Sequence, residues 1–460
     1  MRKVGVTACA DDASPRRPAR AARPGLAARA GRSLFPGRYA CIALGSFLLG
    51  VAAVATLPLG PAADSWWRSL FGVVCSFIGM GVMIVAPSRV AFPLGWRRHP
   101  AWRRFAFAAT LALAAATIIL YAGESADLLG APSRAYRSDV VAFTDVNARL
   151  ALAGRNPYTA DGAFGTALRR FPAALGTPSR RGAFAGRRDY PPLAEVYAAQ
   201  RRYARSPRAS RGAFDPRVLH SYPALSFLLY APLLWAGVDN ILTLNVAVFW
   251  GLFAWLVWLT PIGRRRWSAL VGLTAILATG GSTLIGTDVI CVAFVLAAWH
   301  VRQRLWLSAA LLGLGCAFKQ YCWFFVPFFV LELALTRPRT HVLRYGAIAL
   351  AAFLVPNAPY ILASPGAWLR SLWLPMDASL FPYGMGIVAL STGHLLPYGP
   401  PPFYGVLEAL ALGVCVWAAA RWRDYLRAYT PLLALVPLLF ASRSRSPPTS
   451  PSRRDWPYMA

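Results

Sequence analysis

Eighteen acidic residues stand in a chain of 460, and eight of them (Glu124, Asp127, Asp139, Asp145, Asp161, Asp189, Glu195 and Asp215) fall between Gly123 and Ser221. Carboxylates that are scarce elsewhere and gathered in one segment are candidates for a general base, the group that takes the proton from an attacking hydroxyl. Asp139 and Asp145 are the strongest of them. The apolar residues around them, Val140, Val141, Phe143, Val146, Leu150 and Leu152, suit a helix lying along a membrane surface. The two are six residues apart, about 600° around a helix, so they point in different directions and need not share a role. The competing reading for each is a solvated or capping carboxylate.

Lys319 is, with Lys3, one of only two lysines and lies between two apolar stretches. A lysine at a helix centre costs about 2.5 to 3.5 kcal/mol on insertion scales, which makes an intramembrane lysine a functional-site hypothesis. The alternative is a lysine snorkelling from a helix end. His220 and His394 lie near outer boundaries, and His99, His300 and His341 in connections on the other side; no pair has ligand spacing on one helix. Seven cysteines show neither CxxC nor paired Cys/His spacing, so nothing calls for a metal, a zinc site or a disulfide framework.

The elements that must position these groups are membrane helices. Hydrophobic residues make up 57% of the chain and charged ones 14%, which excludes an ordinary soluble domain. Crossing a hydrocarbon core takes roughly 20 apolar residues. Suitable windows are Tyr39–Leu59, Ser69–Ala86, Arg103–Ala122, Tyr222–Val238, Ile241–Thr260, Ser268–Ile285, Thr287–Val301, Leu305–Phe318, Gln320–Leu335, Arg344–Ala363, Phe403–Ala420 and a last one ending near Phe440. The fold class is an all-α polytopic membrane protein with about 11 to 12 such segments. A formal charge of +30 would suggest nucleic acid in a soluble chain. Here the arginines sit in short connections and tails, as positive-inside loops do, so no nucleic-acid partner is expected.

Five regions follow. Residues 1–36 read as a basic, disordered cytoplasmic tail, with Arg16-Arg17 too far from the first apolar run for a twin-arginine signal. Residues 37–122 hold three transmembrane helices, and 123–221 form a long extracytoplasmic loop with the candidate Asp residues. Residues 222–441 hold the remaining bundle, and 442–460 a disordered Ser/Pro/Arg tail where the sequence reads as cut short or out of frame. Arg97, Arg98, Arg103 and Arg104 put the second connection, and with it the N-terminus, in the cytoplasm of a multi-pass cell-membrane protein. Keeping Arg264, Arg265 and Arg266 inside then requires that one segment not cross. The Pro-interrupted Tyr222–Val238 is the choice, as a re-entrant or interfacial piece. Placing Arg421, Arg423 and Arg427 inside likewise needs Met385–Leu396 not to cross.

Gly154-Arg155-Asn156-Pro157-Tyr158-Thr159 has the composition of a tight turn ending a helix. An Asp shortly after an outward-running helix, followed fifteen residues later by this Gly-Arg-Asn-Pro-Tyr, resembles the first outer loop of glycosyltransferase family 87. His220-Ser221-Tyr222-Pro223 resembles the family's Tyr-Pro segment, Gly286-Thr287-Asp288 the start of a later span, and Ala317-Phe318-Lys319-Gln320 with Phe325-Val326-Pro327-Phe328 its Lys-Gln helix. The resemblance runs from Arg103 to Ala363 in the family's order, with two spans preceding the family-like first helix.

The resemblance implies the C-type glycosyltransferase fold and a mannosyltransferase that uses a polyprenyl-phosphate sugar donor as co-substrate, with a glycan or lipid acceptor and membrane lipids as the other partners. It implies an inverting transfer, with Asp139 as base and Asp145 second. Lys319 and Gln320 would meet the phosphate, and Tyr222 and His220 would line the acceptor side. Arg155, Asn156, Tyr158 and Asp288 are further substrate-binding candidates. Between Gly123 and Ser221, sixteen arginines against eight acids suggest an anionic acceptor. A transporter or lipid flippase is the alternative; it predicts paired intramembrane charges and interrupted helices in matching halves, and the sequence shows no such symmetry.

Overall fold

The computed structural model describes residues 37–56, 66–85, 100–180, 182–187, 190–205, 220–277, 286–374, 381, 384, 386–393, 395–397, 399–422 and 430–440. The two expected disordered tails, Arg97, Arg98, Arg423 and Arg427, His99, His394, Asp189 and Asp215 lie outside them. Among the described residues the chain is helical, with one isolated parallel bridge, Ser138 to Leu175, and no named strand.

The first helices are α1 (Gly37–Ala55), α2 (Trp66–Val85) and α3 (Pro100–Leu128). The third runs past Ala122, where its apolar stretch ends, because Glu124 and Asp127 on its last turns face Arg137 of the following segment at 3.9 and 3.5 Å. Both acids therefore belong to the helix and not to the loop. That segment carries α4 (Asp139–Leu152), α5 (Ala163–Arg170) and α6 (Leu193–Arg205). The expected surface helix over Asp139 and Asp145 forms, but nine of its fourteen residues are buried, so it is packed on more than one side instead of half-solvated.

Tyr222–Val238 contains two short helices, α7 (Leu225–Leu228) and α8 (Ala231–Trp235). Pro232 opens the second and Gly237, at φ +83°, turns the chain after it. At 1.5 Å per residue this piece covers about half of a hydrocarbon core. Then follow α9 (Leu242–Leu259), α10 (Arg265–Leu277), α11 (Asp288–His300), α12 (Leu305–Phe318), a 3-10 stretch Gln320–Phe325, α13 (Val326–Thr336), α14 (Arg339–Ala363), α15 (Pro365–Trp373), α16 (Val388–Thr392) and α17 (Pro401–Arg421). The five residues of α16 are far too few to cross a membrane.

Among the described residues five helices, α2, α3, α9, α14 and α17, are long and apolar enough to cross, and five shorter apolar helical stretches accompany them. Large apolar side chains face outward along them: Ile119 and Val355 are 74% exposed and Leu362 82%. Continuous apolar surface of that kind is stable against lipid, not water. The chain is an all-α membrane protein. Its main core joins α3 and the 130–205 segment to α7–α14, and close approach is built in where a Cβ on Gly313 of α12 would collide with the Ala349 carbonyl of α14. Because α11 to α14 run to and fro, Asp288, Lys319 and Asn357 fall at one end of the bundle, with α4 and α7 packed over it. Arg302, Arg304, Arg337 and Arg339 fall at the other.

Candidate functional site

Ser138 caps α4, its hydroxyl accepting from the Val140 N–H at 3.3 Å, and Asp139 follows in the first turn, where a carboxylate complements the helix dipole. Asp139 Oδ2 accepts the Thr177 N–H at 2.7 Å, and its own N–H donates to the Leu175 carbonyl. Gln200 of α6 holds the same strap from the other side, accepting from the Gly176 N–H at 2.9 Å and donating to the Ala174 carbonyl at 2.6 Å.

Asp139, Phe143 and Asn147 recur at every fourth residue and so share a stripe of α4. That stripe meets His220. Asn147 Nδ2 lies 2.9 Å from His220 Nδ1, and His220 Nε2 lies 2.6 Å from Ser226 Oγ, which itself donates to the Pro223 carbonyl. Donation by Asn147 assigns the ring as the neutral Nε2–H tautomer. Complete burial, with Phe143, Tyr158, Tyr222 and Phe227 edge-on around it, pushes the His220 pKa down to about 3.

The Gly-Arg-Asn-Pro-Tyr turn has a mechanical purpose here. Gly154, at φ +70°, ends α4 in a Schellman motif, with the Arg155 N–H on the Leu150 carbonyl at 2.9 Å and the Gly154 N–H on that of Ala151 at 3.0 Å. Asn156 Oδ1 then accepts the Tyr158 N–H at 2.9 Å. The turn drives Tyr158 inward, fully buried, where its hydroxyl donates to the Tyr222 carbonyl at 2.8 Å. Arg155 stays exposed, away from this cluster.

Lys319 interrupts the apolar hairpin of α12 and α13 in extended backbone. It does not snorkel: 4% exposed, it forms an ion pair with Asp288 at the start of α11, and its ammonium lies 4.8 Å from the Tyr222 ring centre and 5.1 Å from that of Tyr321. Gln320 Nε2 donates to the Ser221 carbonyl at 2.5 Å. Tyr158, His220, Tyr222, Asp288, Lys319 and Gln320 thus form one contiguous cluster where α4, α7, α11 and the α12–α13 break meet. One turn deeper, Cys291 and Cys322 repeat the same sequence offset, with sulfurs 2.7 Å apart as free thiols.

Asp145 belongs elsewhere. It is fully buried, with Arg149 Nε at 2.8 Å on Oδ1 and the Tyr136 hydroxyl at 3.1 Å on Oδ2, and Arg149 continues to Asp239 at 2.9 Å. Burial raises its pKa, while Arg149 and Tyr136 act to lower it. Both oxygens are committed to a network that ties α4 to the 239–241 turn, which is completed by the Ile241 N–H on the Tyr136 hydroxyl at 2.8 Å.

Sequence reasoning missed three asparagines and a glutamine. Asn147 and Gln200 are described above. Asn357 on α14 accepts both the Ala224 N–H at 2.9 Å and the Trp368 indole at 3.2 Å, and Asn245 on α9 joins the Tyr230 hydroxyl at 2.7 Å to the Gly286 carbonyl at 2.8 Å. Asn245 and Asn357 carried a readable signal, being polar residues inside apolar runs. No group of three or more metal-ligating side chains is assembled among the described residues. Comparison with known proteins returns no match to a family model, a curated protein or a solved structure.

Proposed function

We propose that the chain is a membrane glycosyltransferase, of mannosyltransferase type and C-type fold, moving a sugar from a polyprenyl-phosphate donor to an extracytoplasmic glycan or lipid acceptor. The observation that carries it is the buried Lys319 ammonium, set between two tyrosines at the end of the bundle that α4 covers with Asp139. In this reading Asp139 takes the acceptor's hydroxyl proton and the freed oxygen bonds to the anomeric carbon with inversion. The bond from that carbon to the phosphate oxygen breaks, and the pair of electrons leaves on the polyprenyl phosphate, whose charge Lys319 and Gln320 stabilise. Asp145, with both oxygens engaged, is assigned to holding α4 in place.

The test is sugar transfer from radiolabelled polyprenyl-phosphate mannose by membranes holding matched amounts of wild type, Asp139→Asn, Asp145→Asn and Lys319→Ala. Transfer lost in Asp139→Asn and Lys319→Ala supports the reading; a wild type inert on several lipid-linked sugars removes it. One observation favours a flippase instead, namely that Lys319 and Asp288 are paired charges at the ends of apolar helices. Wild type that moves the labelled lipid across vesicles without cleaving it would select that second reading.

A further inference from the structure

At the arginine-rich end of the bundle, opposite Lys319, a cavity of about 230 Å³ opens between the ends of α11 and α13 and the beginnings of α12 and α14. Arg302 and Arg337 line it against a single carboxylate, Glu332. The Arg302 guanidinium stacks 4.8 Å from the Trp299 ring centre and donates to the Trp299 carbonyl at 3.0 Å, yet its buried Nε has no hydrogen-bond partner. Arg337 is held by the Gln303 side chain at 3.2 Å. The helices α12 and α14 both begin at this end of the bundle without a side-chain cap, so the positive ends of two dipoles lie on the same side as the guanidinium charge.

We propose that this cavity binds the phosphodiester headgroup of an anionic phospholipid, independently of the transfer chemistry proposed above. Two forked cations that line one cavity against a single carboxylate, one of them with an unpartnered nitrogen, match a phosphate's oxygens. The size fits a headgroup: it is smaller than the roughly 300 to 1,000 Å³ of sites that enclose a drug-sized molecule. The surroundings fit a lipid, since Trp299 and Phe329 form the apolar wall and Trp306, 65% exposed, marks the level at which indoles meet headgroups. Basic pockets between helices at a membrane face take anionic headgroups in this way, leaving the acyl chains along the outer helix surface.

The test uses the full chain purified in an uncharged detergent. Binding of short-chain phosphatidylglycerol is compared with that of phosphatidylcholine of equal chain length and of soluble glycerol phosphate, by native mass spectrometry and by thermal shift. Wild type is expected to prefer phosphatidylglycerol over both. Arg302→Gln/Arg337→Gln should weaken it by about tenfold or more, the scale for removing two arginines from a lipid phosphate. Arg264→Gln/Arg421→Gln, which removes two exposed arginines elsewhere, should leave binding unchanged. Thr336→Trp fills the cavity from its exposed rim without altering charge and should weaken binding even if the double arginine variant does not fold. Equal binding of phosphatidylcholine, equal binding of soluble glycerol phosphate, an equal loss in the Arg264/Arg421 variant, or full binding by Thr336→Trp each overturns the assignment.

Discussion

Asp139 and Asp145 lie on one helix but answer to different neighbours: Asp139 holds the Thr177 N–H of the strap, while Asp145 is enclosed by Arg149 and Tyr136. An asparagine at position 139 can still accept the Thr177 N–H, so Asp139→Asn should keep its thermal midpoint while transfer falls about 10²- to 10⁴-fold. Asp145→Asn removes a charged partner from Arg149 and should lower stability by about 2 kcal/mol, read in denaturant titrations in detergent. A reversed pattern, with Asp145→Asn folded and inert and Asp139→Asn active, would exchange the two roles.

The ion pair at Lys319 separates stability from chemistry. Removing one partner of a buried pair costs about 3 to 5 kcal/mol, whereas replacing both with neutral groups of similar size costs far less. Lys319→Met is therefore expected to melt early and Lys319→Met/Asp288→Asn to recover, with sugar transfer absent in both. Transfer regained in the double variant would reduce Lys319 to a structural residue.

His220 sets a pH dependence. Its folded pKa of about 3 lies below the ordinary 6.5, so between those values the unfolded chain holds more protons than the folded one. The stability it contributes is complete above the higher value and is lost as the pH falls toward the lower, at a limiting slope of about 1.4 kcal/mol per pH unit. Thermal midpoints taken from about pH 8 down to about pH 5 should decline in wild type and flatten in His220→Gln. An unchanged slope in that variant would assign the dependence to another group.

Gly154 and Tyr158 should report on the turn. Alanine at a φ of +70° costs about 1 kcal/mol, and nothing lies within 4 Å of the Cβ it would add, so Gly154→Ala should destabilise through backbone strain alone. Tyr158→Phe leaves the Tyr222 carbonyl without its donor, at about 1 kcal/mol. If the turn acts by seating Tyr158 on Tyr222, both variants should lose transfer in parallel, and Gly154→Ala with full activity would show that the turn can be remodelled.

Much of the scaffold was legible. Leu305–Phe318 reads as a helix with the bounds it has, since apolar residues fill it and Arg304 and Lys319 close it. The interruption in Tyr222–Val238 follows from its prolines and Gly237. Lys319 was conspicuous because a lysine there demands a reason. What it pairs with was not, because Asp288 is thirty-one residues away and nothing in a linear pattern joins them. The same holds for Asp145, whose network reaches Asp239 more than ninety positions on, so that a closed structural knot looked like a free carboxylate. The end of α3 was misjudged because Glu124 and Asp127 resemble loop residues until Arg137 folds back on them.

The order in which the Lys319–Asp288 pair is synthesised bears on how the protein enters the membrane. Asp288 leaves the ribosome thirty-one residues ahead of Lys319. When the lysine arrives between its two apolar segments, its counter-charge is already at the head of a completed α11. Insertion of α12 and α13 is thereby coupled to docking on the preceding helix, and a chain that keeps the lysine but lacks the carboxylate should be delayed at this step and cleared by quality-control proteases more than the wild type or the Lys319→Met/Asp288→Asn variant.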